Sequence, residues 1–412
     1  MNSDSNNSTR LWVASEVYYP EEISTGYYLT SIAEGLAQDH ETKVICGQPN
    51  YGARGIKAPK HEVHNGVEIF RAASTLLDKN VIPFRAINMQ TLGISVFFVA
   101  LRRFRKGDRV LVVTAPPSLP FIIALAALIR GTGYTLLLHD CYPELLVATG
   151  KLKKNSIGVR AINYFNRWLY KHAEKMIVVG RDMREMMLRK TAGLDIPIST
   201  IPNWADLETI HPCPKSENGL LKSLGLRDKF VLMYAGNIGH PTDVESIIKC
   251  AERLLDRPEF HFLFIGSGAK RPYIERQIAS RNLKNVTYLG TKPRSEQVEF
   301  LNACDVALIS LISGTWGTAM PSRTYNILAA GKPILALTDE TSELALVIDE
   351  EDVGLHIIPG SPDKLFDAIL ELYENRAGLS EMGKRAYIAA QLKYSRAAAT
   401  DRYRAEFGGA KQ

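Results

Sequence analysis

An α/β chain with two Rossmann-like, doubly wound domains facing a central cleft is the fold that the sequence predicts, and three observations carry the prediction. Short apolar runs alternate with amphipathic helical stretches along nearly the whole chain. The alternation stops at a proline-containing connector, residues 201–212, and then starts again. The length, 412 residues, also exceeds the size at which one core usually stops growing. Right-handed βαβ units satisfy such a pattern, with helices covering both faces of a parallel sheet. The boundaries read as a polar, disordered tail over residues 1–10, a first domain over 11–202, a second over 203–390, and a C-terminal helix, 391–412, packing back on the first domain.

In the first half, residues 11–15 read as a strand, and the loop EVYYPEEISTGYY brings Gly26 to the start of a helix over 28–38. A glycine there lets backbone approach a ligand. Strands follow at 43–46 and 67–71, separated by a Gly- and Pro-containing loop. Residues 86–105 form a helix ending in Arg102, Arg103, Arg105 and Lys106, a pattern that fits a solvated basic end or contact with an anionic membrane face. A strand at 110–113, a helix at 121–129 and a strand at 135–138 lead to His139, Asp140 and Glu144. Ligands gather outside the carboxyl ends of parallel strands, so His139 and Asp140 are placed for chemistry. A helix at 168–175 and a strand at 176–179 complete the half.

The second half repeats the alternation, with strands at 230–234, 260–265, 286–289 and 306–309 and helices at 244–255, 270–281 and 296–303. Its most informative stretch is MPSRTYNILAAGKPILAL, residues 320–337. Pro321 and Ser322 open a short helix, with the serine hydroxyl available as its cap; Gly331 and Pro333 close it, and an apolar strand follows at 334–337. The positive end of such a helix, with Arg323 beside it, suits a phosphate or diphosphate. Amphipathic helices at 362–376 and 381–407 end the chain.

The composition, 46% hydrophobic and 23% charged with a formal charge of +6, is that of a mildly basic globular protein. No basic tract is interleaved with aromatics, which argues against nucleic acid. The five cysteines are scattered and never in a CxxC pair, which argues against a disulfide framework and a zinc site and fits a reducing cytoplasm. The apolar stretches 93–101 and 119–129 fall short of the roughly 20 residues of a membrane helix and read as buried helices. A dehydrogenase fits worst, because no GxGxxG follows the first strand.

Taken together, PNWADLETIHP in the connector, YAGNIG opening the second half, the GSG turn and MPSRTYNILAAGKPILAL resemble the GT-B glycosyltransferases of family 4. The stretches YYPEEISTGYYLTSIAEGLA and LHDCYPELLVATGKL resemble the bacterial subgroup that builds capsule, O-antigen and colanic-acid-type polysaccharides. The resemblance implies a retaining, metal-independent transfer of a hexosyl or N-acetylaminosugar group, with a nucleotide sugar as substrate, no cofactor, and a saccharide or polyprenyl-linked acceptor. It implies an acceptor-side first domain, a donor-binding second domain, and a cytoplasmic location with peripheral contact on the inner membrane face.

The resemblance also assigns residues. The nucleobase lies against residues 290–294, including Thr291 and Pro293, and the ribose lies near Asn326. The diphosphate lies over Gly236, Asn237, Ser322, Arg323 and Thr324, with Gly26 adding amides from the other domain. His139 and Asp140 orient the acceptor hydroxyl or stabilise charge on the sugar. Many members carry two glutamates where this chain has Thr318 and Asn326, and an Arg and Lys pair not evident in GNIGHPTD, for which Lys270 and Arg271 are candidate replacements. Two alternatives share the scaffold: a non-hydrolysing nucleotide-sugar epimerase, and a non-catalytic nucleotide-sugar-binding subunit.

Overall fold

The computed structural model describes residues 10–51, 55–77 and 81–408. The first half supplies β1 (Leu11–Ala14), β2 (Thr42–Cys46), β3 (His61–His64), β4 (Val67–Arg71), β5 (Arg109–Val113), β6 (Gly133–Leu138), β7 (Lys175–Val178) and β8 (Ile198–Thr200). The second supplies β9 (Phe230–Ala235), β10 (Phe260–Ile265), β11 (Val286–Tyr288), β12 (Val306–Ser310), β13 (Ile334–Leu337) and β14 (Gly354–Ile357). Among the described residues they form an eight-stranded sheet, ordered β3-β4-β2-β1-β5-β6-β7-β8, and a six-stranded sheet, ordered β11-β10-β9-β12-β13-β14. In each sheet the order reverses beside the first strand of its half, β1 or β9, which is where a doubly wound sheet opens a crevice. The central strands β9 and β10 are buried at every position, as parallel strands covered on both faces must be.

Several elements depart from the sequence reading for local reasons. β3 runs antiparallel to β4 at the sheet edge. The two are joined through Asn65 and Gly66, at φ of 46° and 80°, so an Asn-Gly turn makes a hairpin that its weakly apolar strand HEVH does not announce. The helix expected at 168–175 begins much earlier, spanning Ile157–His172 with Ser156 as its cap. The helix expected over 381–407 is two helices, Arg376–Leu392 and Arg396–Phe407, because Ser395 turns out of the helix and its hydroxyl caps Ala398. Helices Arg181–Lys190 and Glu343–Glu351 were not anticipated at all.

The fold begins one residue earlier than expected, at Arg10. Residues 1–9 lie outside the described residues, whereas Arg10 is buried and belongs to the fold. Its guanidinium grips the Asp108 carboxylate at 2.6 and 3.0 Å, and the same carboxylate accepts from the Trp12 indole and the Arg105 amide, both at 2.9 Å.

The chain crosses between the halves twice. The connector carries it out, and after the Arg376–Leu392 helix it returns, so that helix Arg396–Phe407 lies on helix Ser24–Leu36. The crossings are adjacent: Ala205 bridges to Ser395 in parallel register, and the Ala205 amide donates to the Tyr394 carbonyl at 2.7 Å.

The helix Ile82–Arg103 is long and apolar enough to cross a membrane by length and composition, contrary to the sequence reading. One face of it is nevertheless part of the core, since Leu92, Val96 and Ala100 are buried. Its other face, with Ile94 and Phe98, is exposed, as are Leu125, Leu128 and Ile129 of helix Leu119–Arg130 beside it.

Replacing Asp108 by alanine leaves the Arg10 cation buried without its partner. Chemical denaturation should register a loss of about 3–5 kcal/mol; a loss under about 1 kcal/mol would mean that Arg10 finds water or another acceptor.

Candidate functional site

The cleft is built from loops at the carboxyl ends of β1, β6, β9, β10 and β12. Helix Ser24–Leu36 follows β1 and helix Arg323–Ala329 follows β12, and their first residues meet: Ser24 Oγ and Ser322 Oγ are 2.7 Å apart. In the first helix the earliest intrahelical bond is Tyr27 N–H to Ile23 C=O, at 2.9 Å, so the amides of Ser24, Thr25 and Gly26 come before it and have no partner of that kind. A Cβ on Gly26 would come within 2.4 Å of the Glu21 carbonyl oxygen; only glycine permits this turn. Ser322 does not cap its own helix. It adopts helical angles and spends its hydroxyl on Ser24 across the cleft, so both helix ends keep their positive partial charge toward the space between them.

Arg323 is half-buried, with its guanidinium 4.6 Å from the Tyr234 ring centroid and donating to the Ala235 carbonyl at 3.1 Å. It lies against Gly236, where a Cβ would fall 2.8 Å from the guanidinium carbon, and φ there is +136°. Gly236 and Asn237 are both exposed to the cleft. The structure therefore brings Arg323, Gly236, Asn237 and Ser322 together, with Gly26 on the facing wall.

Two residues expected to face a ligand are committed to the protein instead. Thr324 is buried, and its amide and hydroxyl both donate to the Pro321 carbonyl, at 3.1 and 2.7 Å. Asn326 is also buried, and its Oδ1 accepts from the Asp206 amide of the connector at 2.9 Å. A neutral amide is inexpensive to bury when bonded, and the connector's N–H needs a partner, so an asparagine serves here where a carboxylate would bring an unwanted charge.

Thr291 and Pro293 stand exposed in the loop after β11. Their neighbour Arg294, which the sequence did not single out, binds the Asp206 carboxylate at 2.9 Å and lies over the Tyr27 ring at 3.7 Å. Lys270 and Arg271 supply no free charge: Lys270 binds Glu245 and the Thr242 carbonyl, and Arg271 binds Glu275. His240, in the loop after β9, is exposed.

Opposite this cluster, the amides of His139 and Asp140 both donate to Thr114 Oγ1, at 3.1 and 3.4 Å. Asp140 bridges to Ala319 and the Cys141 amide donates to the Thr318 carbonyl at 2.8 Å, so the end of β6 is stitched to the other half. His139 Nε2 is buried without a partner, and desolvation lowers its pKa to about 4, so the imidazole is neutral at pH 7. Desolvation raises the Asp140 carboxyl to about 6. Asp140 also lines a cavity of about 950 Å³ that runs into the first half and reaches Asn237 and His240 of the second. Among the described residues no three His, Cys, Asp or Glu side chains gather as a metal ion would require.

Comparison with known proteins places this geometry. Residues 25–209 match the family described as Glycosyltransferase Family 4, and residues 220–389 match Glycosyl transferases group 1. A probable glycosyltransferase, WbjE of Pseudomonas aeruginosa, is 30% identical over 401 residues, 94% of each chain. The putative colanic acid biosynthesis glycosyl transferase WcaI of Escherichia coli is 25% identical over 339 residues, 79% of this chain and 83% of that one. Among solved structures, sucrose-phosphate synthase from Thermosynechococcus elongatus superposes with a TM-score of 0.75 at 15% identity, covering 97% of this chain and 99% of that one. Anabaena HepE in complex with UDP superposes at 0.71 and 14% identity, with the same coverage. These likenesses show the GT-B fold.

Asn326→Ala should destabilise the ligand-free protein by about 1–3 kcal/mol, because it leaves the Asp206 amide buried and unpaired. Denaturation of the free protein is the measurement; an unchanged midpoint would mean that Asn326 has no structural duty at the connector.

Proposed function

The chain belongs to glycosyltransferase family 4, and from that premise we propose a retaining, metal-independent transfer of a hexosyl or N-acetylaminosugar group from a nucleotide sugar to a lipid-linked saccharide. The protein is a glycosyltransferase of surface polysaccharide biosynthesis, and the proposal adds stereochemistry, acceptor and place: the inner face of the cytoplasmic membrane. The observation that carries it is the meeting of two helix starts at Ser24 and Ser322, beside Arg323 and above Gly236.

The reaction breaks the bond between the sugar's anomeric carbon and the diphosphate, and charge accumulates on the leaving oxygens. Amides at the two helix starts and the Arg323 guanidinium supply fixed positive charge where that charge develops. The planar fork of Arg323 can hold two phosphate oxygens. The acceptor oxygen forms its bond on the face the diphosphate leaves, and its proton passes to the departing phosphate. No separate strong base is then required. Thr318 carries no charge, so Asp140, bridged to the adjacent Ala319, is the carboxylate assigned to the positive charge that grows on the sugar. His139, neutral and with its Nε2 buried, contributes through its backbone: its amide and that of Asp140 donate to Thr114 Oγ1, which holds the Asp140 carboxyl at the end of β6.

A thermal-shift panel of nucleoside diphosphates and their sugar conjugates tests the donor site. HepE has been solved with UDP and with UDP-glucose, so uridine nucleotides come first. A selective stabilisation that Arg323→Ala abolishes is the expected result, with turnover lowered about 10²–10³-fold; no stabilisation of folded protein by any nucleotide would sink the assignment.

The second test is a pH profile. Burial keeps the Asp140 carboxyl protonated up to about pH 6, so the ionised form is scarce at pH 5 and dominant at pH 7.5. The rate should rise through about pH 6, and Asp140→Asn should give a low, flat profile over that range. A variant retaining the rise would remove Asp140 from the mechanism.

A further inference from the structure

The cavity that begins at Asp140 is unlike a saccharide site. Sugars are held by arrays of hydrogen-bonding side chains and by flat aromatic faces, whereas this space is walled chiefly by Leu136, Leu138, Leu146, Ile162, Phe121 and Phe165. Its volume, about 950 Å³, lies at the upper end of the roughly 300–1,000 Å³ range of small-molecule sites. Apolar walls of this extent beside a reacting centre are costly to leave facing water unless an apolar group covers them.

Two cations mark its lining. Arg85 and Lys151 both border the cavity, both are exposed, and neither makes an ion pair with a described residue. Phe165 borders it too and is 57% exposed, so the cavity opens to solvent on that side. The outer faces of helices Ile82–Arg103 and Leu119–Arg130, which also contribute lining residues, carry the exposed apolar side chains described above. Apolar walls, free cations and an apolar approach surface match an amphiphile with a hydrocarbon chain and an anionic head.

We propose that this cavity is the seat of the acceptor's hydrocarbon chain, with the phosphate or diphosphate joining that chain to its sugar held by Arg85 and Lys151. The inference rests on the glycosyl-transfer reading and gives the acceptor's lipid a place in the N-terminal half. Catalysis then gains from the chain as well as from the sugar: seating the chain fixes the attached sugar near Asp140 and lowers the entropy cost of reaching the donor.

The probe is farnesyl diphosphate, compared with dimethylallyl diphosphate, inorganic diphosphate and farnesol by calorimetry on the full chain. Farnesyl diphosphate should bind at least about tenfold more tightly than the short-chain or chainless diphosphates, since each buried methylene contributes. Ile162→Trp and Leu146→Trp, which fill the cavity, should weaken the farnesyl probe about tenfold or more. Arg85→Ala with Lys151→Ala should weaken farnesyl diphosphate while leaving farnesol unchanged. Equal affinity for long and short chains would overturn the proposal, as would undiminished binding to both tryptophan variants with normal melting curves. Binding to the donor site instead would show as loss of the farnesyl signal when a nucleoside diphosphate is added, and would equally overturn it. The nucleotide panel judges the glycosyl-transfer reading separately: nucleotide binding without chain dependence removes the cavity proposal alone, and absence of nucleotide binding removes the function beneath it.

Discussion

Asp206 is the residue on which the arrangement of the cleft depends. Its amide donates to Asn326 of the Arg323–Ala329 helix, and its carboxylate binds Arg294 of the loop after β11. Arg294 in turn lies over Tyr27 in the first turn of helix Ser24–Leu36. One connector residue therefore ties together helix Arg323–Ala329, the loop after β11 and the facing helix of the first half. Because Asp206 is buried, these bonds act in a low-dielectric setting, where their geometry is enforced more strictly than at a surface.

The same chemistry explains how the centre differs from its rim. Away from the centre, half-exposed Arg181 of the first half binds buried Glu343 and exposed Glu350 of the second, tying the two halves together. At the centre, burial leaves His139 uncharged and holds Asp140 protonated into the weakly acidic range. Arg323, at the start of its helix, is not committed to any carboxylate among the described residues.

The large-scale fold was legible because buried parallel strands write themselves as apolar runs; the strands that gave no such signal, β3, β8 and β14, all lie at sheet edges, where burial is incomplete. Arg323, Gly236 and Asn237 were legible because a helix start and a glycine at a strand end are local features. The bonds that Thr324 and Asn326 make inside the protein were not legible, because they depend on where side chains point in a seven-residue helix and, for Asn326, on the connector far away in sequence. Ser24, Arg294 and Asp206 were missed for the related reason that each matters only through a partner on another element. The apolar cavity left no signal: its leucines and phenylalanines look like core until the space between them is seen. Ser395 was the exception, since a serine in the middle of a long helical stretch is a cap signal that the amphipathic pattern overrode.

The adjacency of the two crossings at Ala205 and Ser395 has a mechanical consequence. A single strand between two bodies permits swivelling about its own axis as well as bending. Two crossings joined at a bridge leave less freedom to swivel than one would, because a turn about either must carry the other with it. The paired crossings therefore limit the orientations in which the halves can face one another, and the contact of Ser24 with Ser322 is made within that limited set.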